Sequence, residues 1–162
     1  MSGNVCFIQE RYFQAAGIYF IKFATMYITK NFTLAELTAT KTGLKNEPPA
    51  AAILWLKILA VAILQPLRDK VGHAIIINSG YRCPAVNARV NGADKSAHLY
   101  GRAADIRCTQ PEGWQYIEIL KTNPHVDKVL FEHNNKTGAY WLHVQTAENP
   151  RHIFPKSIYQ TQ

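Results

Sequence analysis

The sequence predicts a single domain of the α+β class, in which a small antiparallel sheet packs against helices. At 162 residues the chain is long enough to bury one hydrophobic core. Residues 50–71 are almost continuously apolar, as in a central core helix, and residues 126–132 and 140–145 have the pattern of a β-hairpin. A core helix and a hairpin in one domain-sized chain favour this class.

The long apolar helix has clear ends. Pro49 suits its first turn, and Gly72 can end it because glycine readily adopts the left-handed conformation found there. Pro66 should kink the helix. A membrane-spanning helix is the alternative, but Lys57, Pro66 and the short apolar length favour a core helix without stable membrane insertion.

Four further elements are predicted around these segments. They are a buried strand at 74–78, a short helix at 84–90, a strand at 103–107 and an amphipathic helix at 111–122. The first strand is expected to be buried because three consecutive isoleucines fill its centre.

The N-terminal residues contain no clear signal. Aromatic and aliphatic side chains are frequent from Tyr12 onwards, but Gln14 and Lys22 interrupt them. A signal peptide needs an unbroken apolar run and a small-residue cleavage site, and neither is convincing here. We therefore expect an N-terminal extension at 1–25, a domain at 26–150, and a C-terminal tail at 151–162 without a recognisable motif.

The net charge is +7, from 18 lysines and arginines against 11 aspartates and glutamates. Such a charge favours anionic partners, which include nucleic acid, membrane surfaces and cell-wall polymers. The basic residues are scattered, and no basic stripe interleaved with aromatic residues indicates a nucleic-acid interface. No nucleic acid is therefore expected as a partner, and nothing in the sequence indicates the oligomeric state.

Cys6, Cys83 and Cys108 are too few and too irregularly spaced for a disulfide framework. Without a C-x-x-C pair, a thiolate zinc site is not expected. Cys83 and Cys108 can approach one another in the fold, but buried free thiols are favoured over a disulfide.

The chemistry of the chain is concentrated in an S-x-H-x-x-G-x-A-x-D pattern at residues 96–105. His98 and Asp105, separated by small residues, can bring an imidazole and a carboxylate onto one divalent metal. Gly101 allows the backbone to turn sharply between them. A third ligand is required, and His143 in an apolar, aromatic stretch is the best candidate.

At these residues the chain resembles the zinc D-Ala-D-Ala carboxypeptidases and related peptidoglycan endopeptidases, whose fold is shared with the hedgehog signalling domain. The S-G-Y-R block of that family is present at 79–82, its second block at 96–105, and its W-x-H-V strand at 141–144. The resemblance covers about 26–145 and extends to a branch with small bacterial and phage-encoded members. It implies a zinc metallopeptidase that hydrolyses peptidoglycan stem peptides in the cell wall, in the periplasm or outside the cell.

The resemblance also implies roles for individual residues. His98, Asp105 and His143 correspond to the zinc ligands, which leave one coordination position for water. Arg82 corresponds to an arginine that binds a peptide carboxylate or stabilises the oxyanion, and Ser96 to a supporting serine. Tyr81 is expected to pack, although its phenol could also bind substrate at the edge of the cleft.

The general base departs from the family pattern. Many members have a glutamate three residues before the last ligand or a histidine two before it, and here these positions are Tyr140 and Trp141. Glu132 is the alternative: if it pairs with Trp141 in the hairpin, it shares a face with His143. A register shift of one residue would turn it away, and His133 is the less favoured neighbour.

The sequence alone leaves two other classes of function open. Without the usual glutamate, the chain could be a zinc-retaining but catalytically inactive module that binds cell-wall peptides. A nucleic-acid-binding protein with a structural metal ranks last, because no recognition pattern supports it.

Overall fold

A five-stranded sheet with helices on one face forms the protein between residues 26 and 161, the part of the chain that this computed structural model describes. The expected extension at 1–25 therefore lies outside the described residues. The strands are β1 (Ile76–Ser79), β2 (Ala103–Cys108), β3 (Val126–Asn134), β4 (Tyr140–Thr146) and β5 (Tyr159–Thr161). The helices are α1 (Leu34–Thr38), α2 (Ala50–Leu59), α3 (Gln65–Val71), α4 (Pro84–Arg89) and α5 (Gln110–Leu120). A π-helical segment (Ala60–Leu64) joins α2 to α3, and a 3₁₀ helix (Ala97–Tyr100) precedes β2.

The strand order is β1-β2-β4-β3-β5, and all neighbours are antiparallel except β5, which runs parallel to β3. The predicted α+β class is confirmed, and so is the hairpin of β3 and β4. The expected antiparallel sheet is confirmed for β1 to β4, and the parallel strand β5 extends it at one edge. The parallel strand β5 comes from the C-terminal tail, so residues 159–161 are part of the sheet.

The long helix has the predicted ends. Pro49 is its N-cap residue, and Gly72 ends it in the left-handed conformation at a φ of 76°. Pro66 lacks an N–H group and its ring crowds the carbonyl one turn earlier, and the wider π-helical turn directly before it relieves this conflict. The predicted irregularity at Pro66 therefore takes the form of a π turn.

This helix buries one face in the core and exposes the other. The buried side chains are those of Leu56, Leu59, Ala60, Ile63, Leu64 and Leu67. Leu54 and Val61, each 59% exposed, lie on the other side. By length and composition the helix could also cross a membrane, but a core helix of a globular domain passes the same test. The prediction of a core helix is confirmed for the buried face.

Two neighbouring substitutions in the π segment should separate burial from helix propensity. Leu64→Ala should lower the free energy of unfolding by about 2–5 kcal/mol, because it removes methyl groups from a fully buried site. Val61→Ala, on the exposed face, should change it by less than about 0.5 kcal/mol. Urea denaturation of both variants measures the difference. Equal losses would contradict the assignment of this helix to the core.

Alternation along the strands separates two faces of the sheet. The helix-covered face carries Ala104, Ile106, Val129, Phe131, Leu142 and Val144, all fully buried. The prediction of a buried strand at 74–78 is wrong: β1 starts at Ile76, which is 46% exposed, and only Ile75 just before it is buried. The reason is that β1 is an edge strand with helices on only one face. Successive isoleucines therefore point alternately to the core and to the solvent.

Both described cysteines are free and half-buried. Burial raises the pKa of the Cys108 thiol to about 12, so this group stays protonated at neutral pH. The favoured state of free thiols is therefore confirmed for Cys83 and Cys108.

Candidate metal centre

Three elements converge on the open face of the sheet. The 3₁₀ helix carries His98, β2 carries Asp105 and β4 carries His143. Asp105 and His143 are direct partners in the β2–β4 ladder, so their side chains project from the same face. The face opposite the helices is thus where the predicted metal ligands meet.

Two glycines let the surrounding segments approach closely. Gly101 follows the 3₁₀ helix at a φ of 71°, and a Cβ atom there would lie 2.3 Å from the carbonyl oxygen of Ala52 in α2. A Cβ atom on Gly80 would lie 2.2 Å from the carbonyl oxygen of Leu37. A side chain at Gly101 would push the loop that carries His98 away from α2, and one at Gly80 would push the segment after β1 away from α1.

The ligand atoms of the three residues form a tight triangle. Nε2 of His98 lies 3.1 Å from Oδ1 of Asp105, and Nδ1 of His143 lies 3.0 Å from the same oxygen. The two nitrogens are 3.1 Å apart. His98 is 2% exposed and Asp105 7%, so this triangle is largely shielded from water. A group with this geometry could hold a metal ion.

The outward contacts of the two imidazoles decide where their protons lie. Nδ1 of His98 is 2.5 Å from the carbonyl oxygen of Gly80, so it must carry a proton and donate it. The amide nitrogen of Gln145 donates to Asp127, which leaves its Oε1 facing Nε2 of His143 at 3.3 Å. When His143 donates through Nε2 to this oxygen, its Nδ1 keeps a lone pair, and both inward nitrogens can then bind a cation. These tautomers are assigned from the partners.

Two lone pairs and a carboxylate oxygen about 3 Å apart repel one another unless a cation lies among them. An ionised carboxylate with two imidazoles is a donor set that suits zinc, and three protein ligands leave one position open. The residues present therefore fit the metal that the sequence predicts.

Glu132 lies on the same face, across the hairpin from the triangle. It pairs with Trp141, and Leu130 pairs with His143, which is the register that directs Glu132 toward the site. Nε1 of Trp141 donates to Oε2 of Glu132 over 2.8 Å. Burial, and next the charge of Asp105, raise the pKa of Glu132.

His133, the less favoured alternative to Glu132, contacts other groups. Its Nδ1 lies 2.9 Å from Oε1 of Gln160, and its ring stacks on Tyr140. It does not line the cleft that contains the triangle. Of the two residues considered for the base, the structure brings only Glu132 to the site.

Arg82 sits beside the triangle and is held by two contacts. Its Nη2 forms an ion pair with Oδ2 of Asp105, the carboxylate oxygen that does not face the histidines. Its Nε donates to Oγ of Ser79 over 2.8 Å. The guanidinium therefore lies at the wall of the cleft and orients Asp105.

The two remaining predicted residues differ in position. Ser96 is half-buried and lines the cleft. Tyr81 is 4% exposed and belongs to the hydrophobic core instead. The expectation that Tyr81 packs is confirmed. The alternative, that its phenol reaches the edge of the cleft, is wrong because the chain after β1 runs against α1, where the Tyr81 N–H donates to Leu37, before it turns at Arg82.

The cleft has a volume of about 750 Å³ and is lined by residues that sequence reasoning did not select. Lys128, Gln145 and Arg151 are the polar ones on the β3–β4 side. Strand alternation could have identified the first two, since they continue the face of Glu132 and His143. No local pattern could have identified Arg151, which belongs to the C-terminal tail.

Two comparisons with known proteins concern the family of this chain. The family model described as Peptidase M15 matches residues 29–144. Over 78 residues, or 47% of this chain, the sequence is 36% identical to the zinc D-Ala-D-Ala carboxypeptidase of Streptomyces albus G. The aligned segment covers 31% of that relative's length. Because the family model matches more than half of the chain, the protein belongs to the peptidase M15 family.

Proposed function

We propose that the protein is a zinc metallopeptidase that hydrolyses peptidoglycan stem peptides, as a D-Ala-D-Ala carboxypeptidase or an endopeptidase. The observation that carries the proposal is the buried triangle of His98, Asp105 and His143, with Glu132 on the same face. The activity requires peptidoglycan, so the site of action is the cell wall, in the periplasm or outside the cell.

The roles of the residues follow from the cleft. His98, Asp105 and His143 would hold the zinc ion, and when bound it would lower the pKa of a water molecule and polarise the scissile carbonyl. Glu132 would take a proton from the attacking water and give one to the leaving amine. Its pKa is raised, mainly by burial, which makes this carboxylate a stronger base than an ordinary glutamate. The Trp141 indole holds the carboxylate in place.

Arg82 and Ser96 complete the site on the opposite wall. The contacts of Arg82 to Asp105 and Ser79 fix its guanidinium, and its remaining N–H groups can stabilise the oxyanion of the intermediate. Ser96 is within the same cleft and can bind the peptide backbone.

The cleft is suited to an anionic peptide. Arg82 is paired with Asp105, and Arg151 with Asp127. Lys128 also lines the cleft, and within residues 26–161 its ammonium group forms no ion pair. Lys128 pairs with Gln145, and Leu130 pairs with His143. Lys128 therefore lies two residues along the strand from the position opposite His143, on the same face of the sheet. We propose that Lys128 binds a carboxylate of the substrate on this side.

Lys128→Met should raise KM about 10-fold for a stem peptide with a free C-terminal carboxylate, because a charge-assisted hydrogen bond is lost. KM for the same peptide with a C-terminal amide should change little. Lys136→Met, on the exposed loop between β3 and β4, is the matched control and should leave both values unchanged. Equal KM values for wild type and Lys128→Met on the carboxylate peptide would remove Lys128 from the substrate site.

The activity itself is tested by incubating the protein with muropeptides that end in D-Ala-D-Ala, with zinc or with a chelator, and weighing the products. Loss of one alanine that the chelator prevents identifies a carboxypeptidase, and a divided stem peptide identifies an endopeptidase. One bound zinc ion per chain without any cleavage would favour the inactive peptide-binding module instead.

A further inference from the structure

A β-bulge in β3, next to the metal centre, contains a buried aspartate that has no pairing partner in β4. The pairing of β3 with β4 passes from Val126 directly to Lys128, so Asp127 falls outside the regular register. Its side chain is fully buried, although it is charged. Bulges change the direction of side chains near functional sites. A buried carboxylate is stable only when hydrogen bonds or opposite charges offset the cost of removing it from water.

The partners of Asp127 come from two sides. From the C-terminal tail, the backbone N–H, Nε and Nη2 of Arg151 donate to it over 2.9, 2.8 and 2.6 Å. From β4, the side-chain amide of Gln145 donates to Oδ2 over 2.5 Å. These hydrogen bonds, led by those of Arg151, hold the pKa of Asp127 well below its ordinary value. The carboxylate is therefore an acceptor only.

An acceptor at this position fixes the orientation of the Gln145 amide. Its nitrogen must face Asp127, so its oxygen must face the other way, toward Nε2 of His143 at 3.3 Å. An amide oxygen can only accept. The imidazole of His143 is thereby favoured in the tautomer with a proton on Nε2 and a lone pair on Nδ1, the atom that faces Asp105.

We propose that Gln145 and Asp127 are positioning residues for His143, and that Arg151 anchors them from the tail. The chain Arg151–Asp127–Gln145–His143 holds the imidazole in the tautomer and orientation in which Nδ1 can bind the metal. This inference rests on the proposed role of His143 as a metal ligand. It also gives the C-terminal tail a function at the site, since Arg151 precedes the segment in which Ile153 pairs with Asp127 and Val129.

Gln145→Met removes the acceptor and keeps the length of the side chain. The zinc dissociation constant, measured by competition with a chromophoric chelator, should rise about 10- to 100-fold, as for other groups that orient metal-bound histidines. Gln160→Met is the matched control: it removes a glutamine that contacts His133, a histidine outside the triangle. Zinc affinity should not change in the control, and thermal unfolding of the metal-free proteins shows whether both variants keep the fold.

The tautomer of His143 is measured separately, in the metal-free protein, by long-range ¹⁵N–¹H correlation at about pH 8, where an ordinary imidazole is neutral. Asp105 and Gln145 accept at opposite nitrogens of His143, so the fraction with the proton on Nε2 should be larger in the wild type than in Gln145→Met. Asp127→Asn, whose amide allows Gln145 to turn, should give a smaller change in the same direction.

Equal tautomer populations in the wild type and Gln145→Met, or a Gln145→Met protein with zinc affinity within about twofold of wild type, would overturn the inference. Absence of zinc binding by the wild type would instead contradict the proposed function, and the tautomer experiment would still decide the role of Gln145.

Discussion

Glu132→Gln should lower kcat for stem-peptide hydrolysis by about 10²- to 10⁴-fold while the protein keeps its zinc, because a general base contributes that much to the rate. The amide oxygen of glutamine can still accept the hydrogen bond from Trp141, so the cleft should stay intact. Steady-state kinetics and metal analysis on the same preparation measure the two quantities. KM should change far less than kcat.

Glu148→Gln is the control for this substitution, since Glu148 is an exposed glutamate paired with Arg102 outside the cleft. It should retain wild-type activity. Wild-type kcat in Glu132→Gln would show that another group accepts the proton from water. Loss of zinc in that variant would instead give Glu132 a role in the metal site itself.

The second large effect is expected from His143→Ala, which should lose zinc and activity together. Without the ion, several kcal/mol of transition-state stabilisation disappear, which corresponds to a loss of about 10³-fold or more in kcat/KM. Zinc content by mass spectrometry should fall from about one per chain to a small fraction of that value. The side chain is near the surface of the cleft, so the fold should survive the truncation.

His133→Ala is the matched control, because His133 lies ten residues away on the neighbouring strand and contacts Gln160 rather than the triangle. It should keep both zinc and activity. A His143→Ala protein that retains one zinc ion and full activity would exclude His143 as a ligand.

The metal triangle could be predicted from the sequence because its geometry is mostly local. His98 and Asp105 are seven residues apart in one motif, and the intervening Gly101 requires a turn. The pairing of Glu132 with Trp141 could be reached by strand alternation once the hairpin was recognised. The roles of these residues in zinc binding and catalysis are still proposals.

Other features depend on contacts between distant segments, which local patterns do not encode. Tyr81 packs into the core as expected, and the alternative of a phenol at the edge of the cleft is wrong because Leu37 accepts its backbone N–H. The parallel strand β5 and the contact of Arg151 with Asp127 join the tail to β3. Ile76 was expected to be buried, and only its place at the sheet edge leaves it exposed. Tertiary context overrides propensity at each of these positions.

The central claim, that zinc binds in this triangle, is tested most directly by anomalous diffraction from crystals of the zinc-loaded protein. Data collected on both sides of the zinc absorption edge should show one peak about 2.0–2.2 Å from Nε2 of His98, Oδ1 of Asp105 and Nδ1 of His143. No peak at that position, with zinc absent or bound elsewhere on the chain, would contradict the account.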